Sequence, residues 1–317
     1  MICNNSLQGR FVSGRYTMPV MLSASLALWF IGAFIEIVGP EHCGVSLPEM
    51  IAGRCISLLS FIATAYLLNS IRLFERRAGW LLSLLMWLAA LSWQMHDNSA
   101  DAFSMLMVVV SLAVIFSCQQ AAVESRIYTS SLIVGALSFL VPPSLWLLPL
   151  LFVFMFMTNM FTPKRMLAML LGAITPFWLV YGTIYVYPEA SVCADRLHGF
   201  VINTHIFAST PSLGHILSAV IDLLLLLPAS VAFMTSSSPA KPMLRKRLQF
   251  MTLLGFYLVF LSFAYPSQEV LLVWRIPVVA VMAAYLFSLK VTKVSNLYFI
   301  FMNIIWLAKA ALSVWLK

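Results

Sequence analysis

The sequence predicts an all-α protein, a polytopic bundle of about 11 transmembrane helices. Of its 317 residues, 62% are hydrophobic and only 9% are charged, whereas a soluble domain has about 25% charged residues. No soluble core could bury so much apolar surface, so the bilayer must act as the solvent. The apolar runs approach the roughly 20 residues that cross a hydrocarbon core, and none alternates with polar residues as a half-buried strand would.

The segment 130–187 shows the pattern most clearly, because three apolar runs are separated by Pro142-Pro143 and by residues 162–165. Short breaks of this kind predict one integral membrane domain over residues 1–317. The fifth helix is short enough to be re-entrant or packed inside protein. The predicted spans are 19–38, 50–71, 78–95, 102–121, 127–141, 144–161, 166–187, 213–234, 248–265, 268–289 and 295–315.

Placement of Lys and Arg predicts the orientation, because cytoplasmic loops collect them. Arg10 and Arg15 precede the first apolar run with no small-residue cleavage site, which predicts an uncleaved first helix and a cytoplasmic N-terminus. With an odd number of helices the C-terminus is then external. We therefore expect a multi-pass protein of the bacterial inner membrane. Most of the 19 basic residues fall on the inner side: Arg10, Arg15, Arg72, Arg76, Arg77, Arg126, Lys164, Arg165, Lys241, Arg245, Lys246, Arg247, Lys290 and Lys293.

The external side holds most acids and all five histidines, four of them in loops and His215 at the start of a helix. The longest external loop, 188–212, has the size of a lid over a cavity. Two of these loops contain ligand types suited to zinc, namely Glu41, His42, Cys43, Cys193, Asp195 and His198. Cys43 and Cys193 could instead form a disulfide, or be two unrelated thiols. No CxxC pair is present, and no metal site is predicted from spacing.

Several ionisable residues lie deep within the predicted spans, where charge is costly. From helical rise, Arg54 lies roughly 6 Å, Arg275 roughly 10 Å and Lys309 roughly 9 Å below the external boundary. Asp222 lies roughly 13 Å below it. Two interpretations remain open. Glu36–Arg54 and Asp222–Arg275 could be buried pairs that lock helices, with Lys309 extending outward, or these residues could line an outward-opening cavity whose cations hold a lipid phosphate.

The region 67–187 resembles an uncharacterised family of Bacteroidota polytopic integral membrane proteins. The resemblance is carried by three stretches: LLNSIRLFERRAGWLLSLLMWLAALS, GALSFLVPPSLWLLPLLFVF and FTPKRMLAMLLGAITPFWLVYGTIY. It supports the predicted topology.

The same region is more distantly similar to the membrane half of GT-C glycosyltransferases, which transfer sugar from a polyprenyl-phosphate donor on the outer face. The matching features are a basic inner loop at 72–77, Ser99-Ala-Asp101-Ala-Phe, and a glycine-led helix from Gly135 to Pro143. The resemblance implies that Asp101 helps to bind metal or acceptor. Those enzymes place the main catalytic carboxylate in the first outer loop, where this chain has Glu36 and Glu41 without an adjacent acidic pair; either could act as a general base.

The best prediction of function is therefore a GT-C-like transferase that acts on a lipid-phosphate-linked sugar, with Glu36, Glu41 and Asp101 as catalytic candidates. Arg54, Arg275, Lys309 and Asp222 are the candidates for binding the lipid phosphate. A divalent metal could serve such a transferase as cofactor. The alternatives are a non-catalytic scaffold or subunit of an envelope complex, and a small-solute transporter, for which Pro142, Pro143, Pro176, Pro228 and Pro277 would suit broken helices. The expected partners are the bilayer, a polyprenyl-phosphate lipid and envelope proteins, with no nucleic acid.

Overall fold

The protein is an all-α helical bundle in a computed structural model. The structure describes residues 17–38, 47–70, 81–90, 99–118, 123–187, 211–235, 242–266, 270–288 and 293–315. Within these ranges some side chains near helix ends, including Glu36 and Lys309, are not described. The described residues form 11 α-helices and no strand, which confirms the predicted fold class.

The helices follow the predicted apolar runs closely. They are α1 Thr17–Val38, α2 Leu47–Ser70, α3 Leu81–Ala90, α4 Ser99–Phe116, α5 Val123–Leu140, α6 Leu147–Met157, α7 Pro163–Val186, α8 Leu213–Thr235, α9 Pro242–Ala264, α10 Val270–Ser288 and α11 Lys293–Trp315.

Five helices, α2, α4, α5, α7 and α9, begin three or more residues before the apolar run that predicted them. In α5, α7 and α9 the added turn contains basic residues, which are good helix formers although they are not apolar. The start of α7 also has a cap, since the Thr162 hydroxyl accepts a hydrogen bond from the Arg165 main-chain N–H at 3.4 Å. An apolar run therefore marks the buried part of a helix and misses its charged first turn.

The Pro142-Pro143 pair breaks the chain as predicted. It ends α5 at Leu140 and begins a short 3₁₀-helix, Pro142–Trp146, that leads directly into α6. The Ser144 hydroxyl donates to the Val134 carbonyl at 3.2 Å and ties this turn back to α5. The connection is therefore compact and is held to α5 by this hydrogen bond.

Helix α10 lies at the centre of the bundle. It packs against α3, α4, α8 and α9, and 89% of its apolar span is buried. Since α10 is hydrophobic on every side, it suits a position surrounded by other helices. Its single described charge, Arg275, is consequently held in the interior.

Helices α5 and α7 make the most extensive helix–helix contact of the bundle. Glycines allow the close approach: Gly135 of α5 faces the Ala173 carbonyl, and Gly172 of α7 faces the Tyr128 carbonyl. Between membrane helices, small residues let backbones approach and gain van der Waals contact. The fifth helix is thus packed inside the protein, one of the two arrangements that its length allowed.

Four of the described helices are long and apolar enough to cross a membrane, and they identify the chain as a membrane protein. These segments are Pro163–Val186, Leu213–Ala232, Leu244–Ala264 and Val270–Phe287. Three of the four contain an internal proline, at Pro176, Pro228 and Pro277, and each continues as one helix through it. The broken helices expected of a transporter therefore do not occur at these prolines.

Candidate functional site

A buried ion pair joins the central helix to one of its neighbours. The Arg275 Nη2 of α10 lies 2.9 Å from the Asp222 Oδ2 of α8. The Arg275 side chain is 3% exposed and that of Asp222 is 11% exposed. The structure therefore contains the buried Asp222–Arg275 pair that one of the two interpretations of the sequence predicted.

Two serines complete the shell around this guanidinium. Arg275 Nη1 donates to the Ser262 hydroxyl of α9 at 3.0 Å, and Nη2 donates to the Ser218 hydroxyl of α8 at 2.6 Å. Ser218, Asp222, Ser262 and Arg275 are called the polar cluster below. It joins three helices through one guanidinium group.

The position of each member follows from helix geometry. Ser218 precedes Asp222 by one turn, so both project from the same face of α8. Ser262 lies in the last turn of α9, opposite the second turn of α10. The Arg275 Nε is also buried and has no hydrogen-bond partner among the described residues. The cluster therefore provides acceptors for three of the five guanidinium N–H groups, and the buried Nε–H has no partner among the described residues.

Asp101 lies near the same end of α10. The Trp274 Nε1 donates to the Ser104 hydroxyl at 2.8 Å, and that hydroxyl donates to the Asp101 carbonyl at 2.6 Å. Asp101 is half-buried in the first turn of α4, where the helix dipole favours a carboxylate. Through the main-chain carbonyl of Asp101, these two hydrogen bonds connect the helix turn of the predicted catalytic residue to Trp274, which precedes Arg275.

Arg54 belongs to a different pair of helices. Its Nη1 donates to the Trp29 carbonyl of α1 at 3.0 Å, and its guanidinium carbon lies 5.9 Å from the centroid of the Trp29 ring. A guanidinium at this distance from an indole face makes a cation–π contact. Arg54 thus joins α1 to α2, while Arg275 joins α8, α9 and α10.

The structure does not describe the side chains of the other predicted site residues. Glu36 lies in α1 and Lys309 in α11, but their side chains are not described. Glu41, Cys43, Cys193 and the 188–210 part of the predicted lid lie outside the described residues, as do His42, His96, His198 and His205. Within the described ranges, no three His, Cys, Asp or Glu side chains come together as metal ligands.

Sequence reasoning identified the charges of the polar cluster but missed its neutral members. Ser218 carried a usable signal, since it lies one turn before Asp222 on a helix that is otherwise apolar. Ser262 and Ser104 carried none, because hydroxyls in membrane helices commonly bond to their own backbone. Trp274 was likewise indistinguishable from an ordinary apolar residue of α10.

The comparison with protein families found no matching family model, and the comparisons with curated proteins and with solved structures found no match either. The resemblances to the Bacteroidota family and to GT-C glycosyltransferases remain predictions. The polar cluster is the feature from which a function is inferred.

Proposed function

We propose that this protein is a multi-pass protein of the bacterial inner membrane that binds the phosphate of a lipid-linked sugar in the external half of the bilayer and transfers the sugar. The observation that carries the proposal is Arg275, a guanidinium held between three helices by Asp222 and two serines. Ionisable residues inside a membrane are rare and mark substrate pathways more often than chance placement would.

Chemistry favours a phosphate as the ligand. Phosphate oxygens accept two parallel hydrogen bonds from a guanidinium, in the way a carboxylate does. A lipid phosphate would replace Asp222 as the partner of Arg275. Because Asp222 is the more exposed of the two side chains, it is the group that can turn aside, while the two serine hydroxyls continue to accept hydrogen bonds from Arg275.

The carboxylates are assigned the chemical role. By the GT-C resemblance, Asp101 binds the acceptor, and the hydrogen bonds through Ser104 and Trp274 keep its helix turn beside Arg275. Glu36 or Glu41 would act as general base, since one positioned carboxylate is sufficient to remove a proton from a hydroxyl. A divalent metal, if the reaction uses one, would need ligands from the external loops.

A charge exchange tests whether Arg275 binds a ligand or only locks helices. In Asp222→Arg/Arg275→Asp the pair can re-form, so the protein is expected at normal abundance. A phosphate-binding guanidinium would then stand on the wrong helix, and binding of polyprenyl phosphate is expected to weaken about 10- to 100-fold, the loss of one or two charged hydrogen bonds. Arg77→Gln, which removes a guanidinium that belongs to neither the polar cluster nor any predicted span, is the matched control.

Turnover of polyprenyl-phosphate sugars in membranes then tests the reaction. Glu36→Ala, Glu41→Ala and Asp101→Ala are assayed singly at equal abundance beside the parent protein. Loss of turnover in one variant identifies the catalytic carboxylate. Absence of turnover in the parent protein, with Asp222→Arg/Arg275→Asp behaving like the parent in binding, would reject the transferase and leave Arg275 as a helix lock.

A further inference from the structure

A second charged region lies at the opposite end of the bundle from the polar cluster. Arg247, near the start of α9, donates a hydrogen bond to the Phe116 carbonyl at the end of α4. Ser262 of the polar cluster lies roughly 22 Å further along the same helix, at about 1.5 Å per residue. The two regions are thus separated by most of a hydrocarbon core.

Basic side chains from the first two turns of three helices lie at this end of the bundle. They are called the basic cluster: Arg126 of α5, Lys164 and Arg165 of α7, and Lys246 and Arg247 of α9. Arg126, Arg165 and Arg247 all lie near enough to the Cys118 thiol to act on it electrostatically. The Arg165–Glu124 pair links the start of α7 to that of α5, and the Arg247 hydrogen bond links α9 to the end of α4.

Positive charge in the basic cluster exceeds the negative charge near it. Of the side chains described at this end of the bundle, Glu124 is the only acid, and it pairs with Arg165 at 3.5 Å. The first turns of α5, α7 and α9 add the partial positive charge of helix N-termini. Lys164 is exposed and Arg126 is partly exposed, so an anion can reach the cluster.

An apolar surface continues directly from these cations along α7. Beyond Lys164 and Arg165, the helix exposes a run of large apolar side chains: Met166 37%, Leu167 57%, Leu170 41%, Leu171 51% and Ile174 55%. A soluble anion would use only the cations. A molecule with both an anionic head and acyl chains would cover the cations and the apolar run together.

We propose that the basic cluster binds the phosphodiester head group of an anionic phospholipid, with its acyl chains along the exposed face of α7. Basic pockets between membrane helices on the cytoplasmic side are a known means of holding such head groups. The site is separate from the polar cluster and does not depend on the proposed transferase activity.

Binding of defined lipids to the purified full-length protein tests this site. Native mass spectrometry would measure the affinity for phosphatidylglycerol and for phosphatidylcholine with the same acyl chains. We expect the parent protein to prefer phosphatidylglycerol. Each cation near an anionic lipid is worth about 1 kcal/mol, or about fivefold in affinity, so Arg126→Gln/Lys164→Gln should weaken phosphatidylglycerol binding about 30-fold.

Two controls separate the site from general attraction. Glu124→Gln removes the acid of the cluster and frees Arg165, so it should strengthen binding. Arg196→Gln removes the same type of charge from a loop predicted to lie on the other face, and it should leave affinity unchanged. The proposal is overturned if both lipids bind alike, if Arg126→Gln/Lys164→Gln binds like the parent, or if millimolar inorganic phosphate displaces the lipid, which would indicate a site for a soluble anion.

Discussion

The hydrogen bond between Trp274 and Ser104 shows how much one hydroxyl contributes in an apolar interior. Trp274 is fully buried, and its Nε1 has the Ser104 Oγ as acceptor at 2.8 Å. Ser104→Ala removes this acceptor. We expect a loss of about 1–3 kcal/mol in the free energy of unfolding, the cost of a buried donor without a partner.

Unfolding of purified protein in detergent, measured by denaturant titration, gives this value. The control is Ser104→Ala in a Trp274→Phe background. If the unpaired indole N–H causes the loss, the serine substitution costs less where the indole is absent. If Ser104→Ala lowers the free energy of unfolding equally in both backgrounds, the loss comes from the Ser104 hydrogen bond to the Asp101 carbonyl and not from the indole N–H.

Glu124 makes the stability of the basic cluster depend on pH. A hydrogen bond from its own main-chain N–H is the largest cause that lowers the pKa of this carboxyl, and Lys164 and Arg165 lower it further. Because the pKa is lower in the folded protein, the unfolded state binds more protons in acid. The stabilisation is therefore complete above the usual pKa of a glutamate and is lost as pH falls through the lowered value.

Thermal unfolding of the parent and of Glu124→Gln over a series of pH values measures this effect. We expect the parent to unfold at the higher temperature near neutral pH, and the difference to disappear in acid. A difference that is constant across the series, or that grows in acid, would show that charge on Glu124 does not stabilise the fold.

At the scale of helices, glycine determines how closely α5 and α7 pack. A Cβ built at Gly135 would lie 2.6 Å from the Ala173 carbonyl oxygen, and one at Gly172 would press on the Tyr128 carbonyl. Main-chain atoms cannot turn aside as a side chain can, so Gly135→Ala and Gly172→Ala should each destabilise the protein by about 1–3 kcal/mol.

Gly182 provides the matched control in the same helix, since nothing lies within 4 Å of a Cβ built there. Gly182→Ala should stabilise the protein by up to about 1 kcal/mol, because alanine favours helix over glycine. Thermal unfolding of the three variants decides between the explanations. If all three shift in the same direction, close packing at Gly135 and Gly172 does not limit the helix contact.

Helices were predictable from this sequence because membrane spans need long apolar runs, and such runs are visible without knowledge of their partners. Helix ends were less predictable. Helix α4 ends at Phe116, whereas its apolar run predicts an end at residue 121. The Phe116 carbonyl accepts a hydrogen bond from Arg247 of α9, a residue that is distant in the sequence. The same limit applies to the polar cluster, where Asp222 and Arg275 stand out as charges but the choice of partner depends on how α8, α9 and α10 pack.

At the scale of the whole molecule, the two clusters make the opposite ends of the bundle different in charge. The basic cluster joins the end of α4 to the starts of α5, α7 and α9, while the polar cluster joins the starts of α8 and α10 to the end of α9. The positive-inside rule predicts that the basic cluster lies on the cytoplasmic side and the polar cluster in the external half of the membrane.

Cysteine labelling from the two sides of the membrane tests this orientation. In a variant without native cysteines, Ser191→Cys should react with an impermeant maleimide in intact spheroplasts, because it lies in the loop predicted to be external. Ser237→Cys lies in a loop predicted to be cytoplasmic and should react only after permeabilisation. The reverse pattern would place Arg275 and Asp222 in the cytoplasmic half, where a lipid-linked sugar on the outer face could not reach them. Reaction of both cysteines in intact spheroplasts would place both loops outside. The one span predicted between them, Leu213–Ala232, would then not cross the membrane.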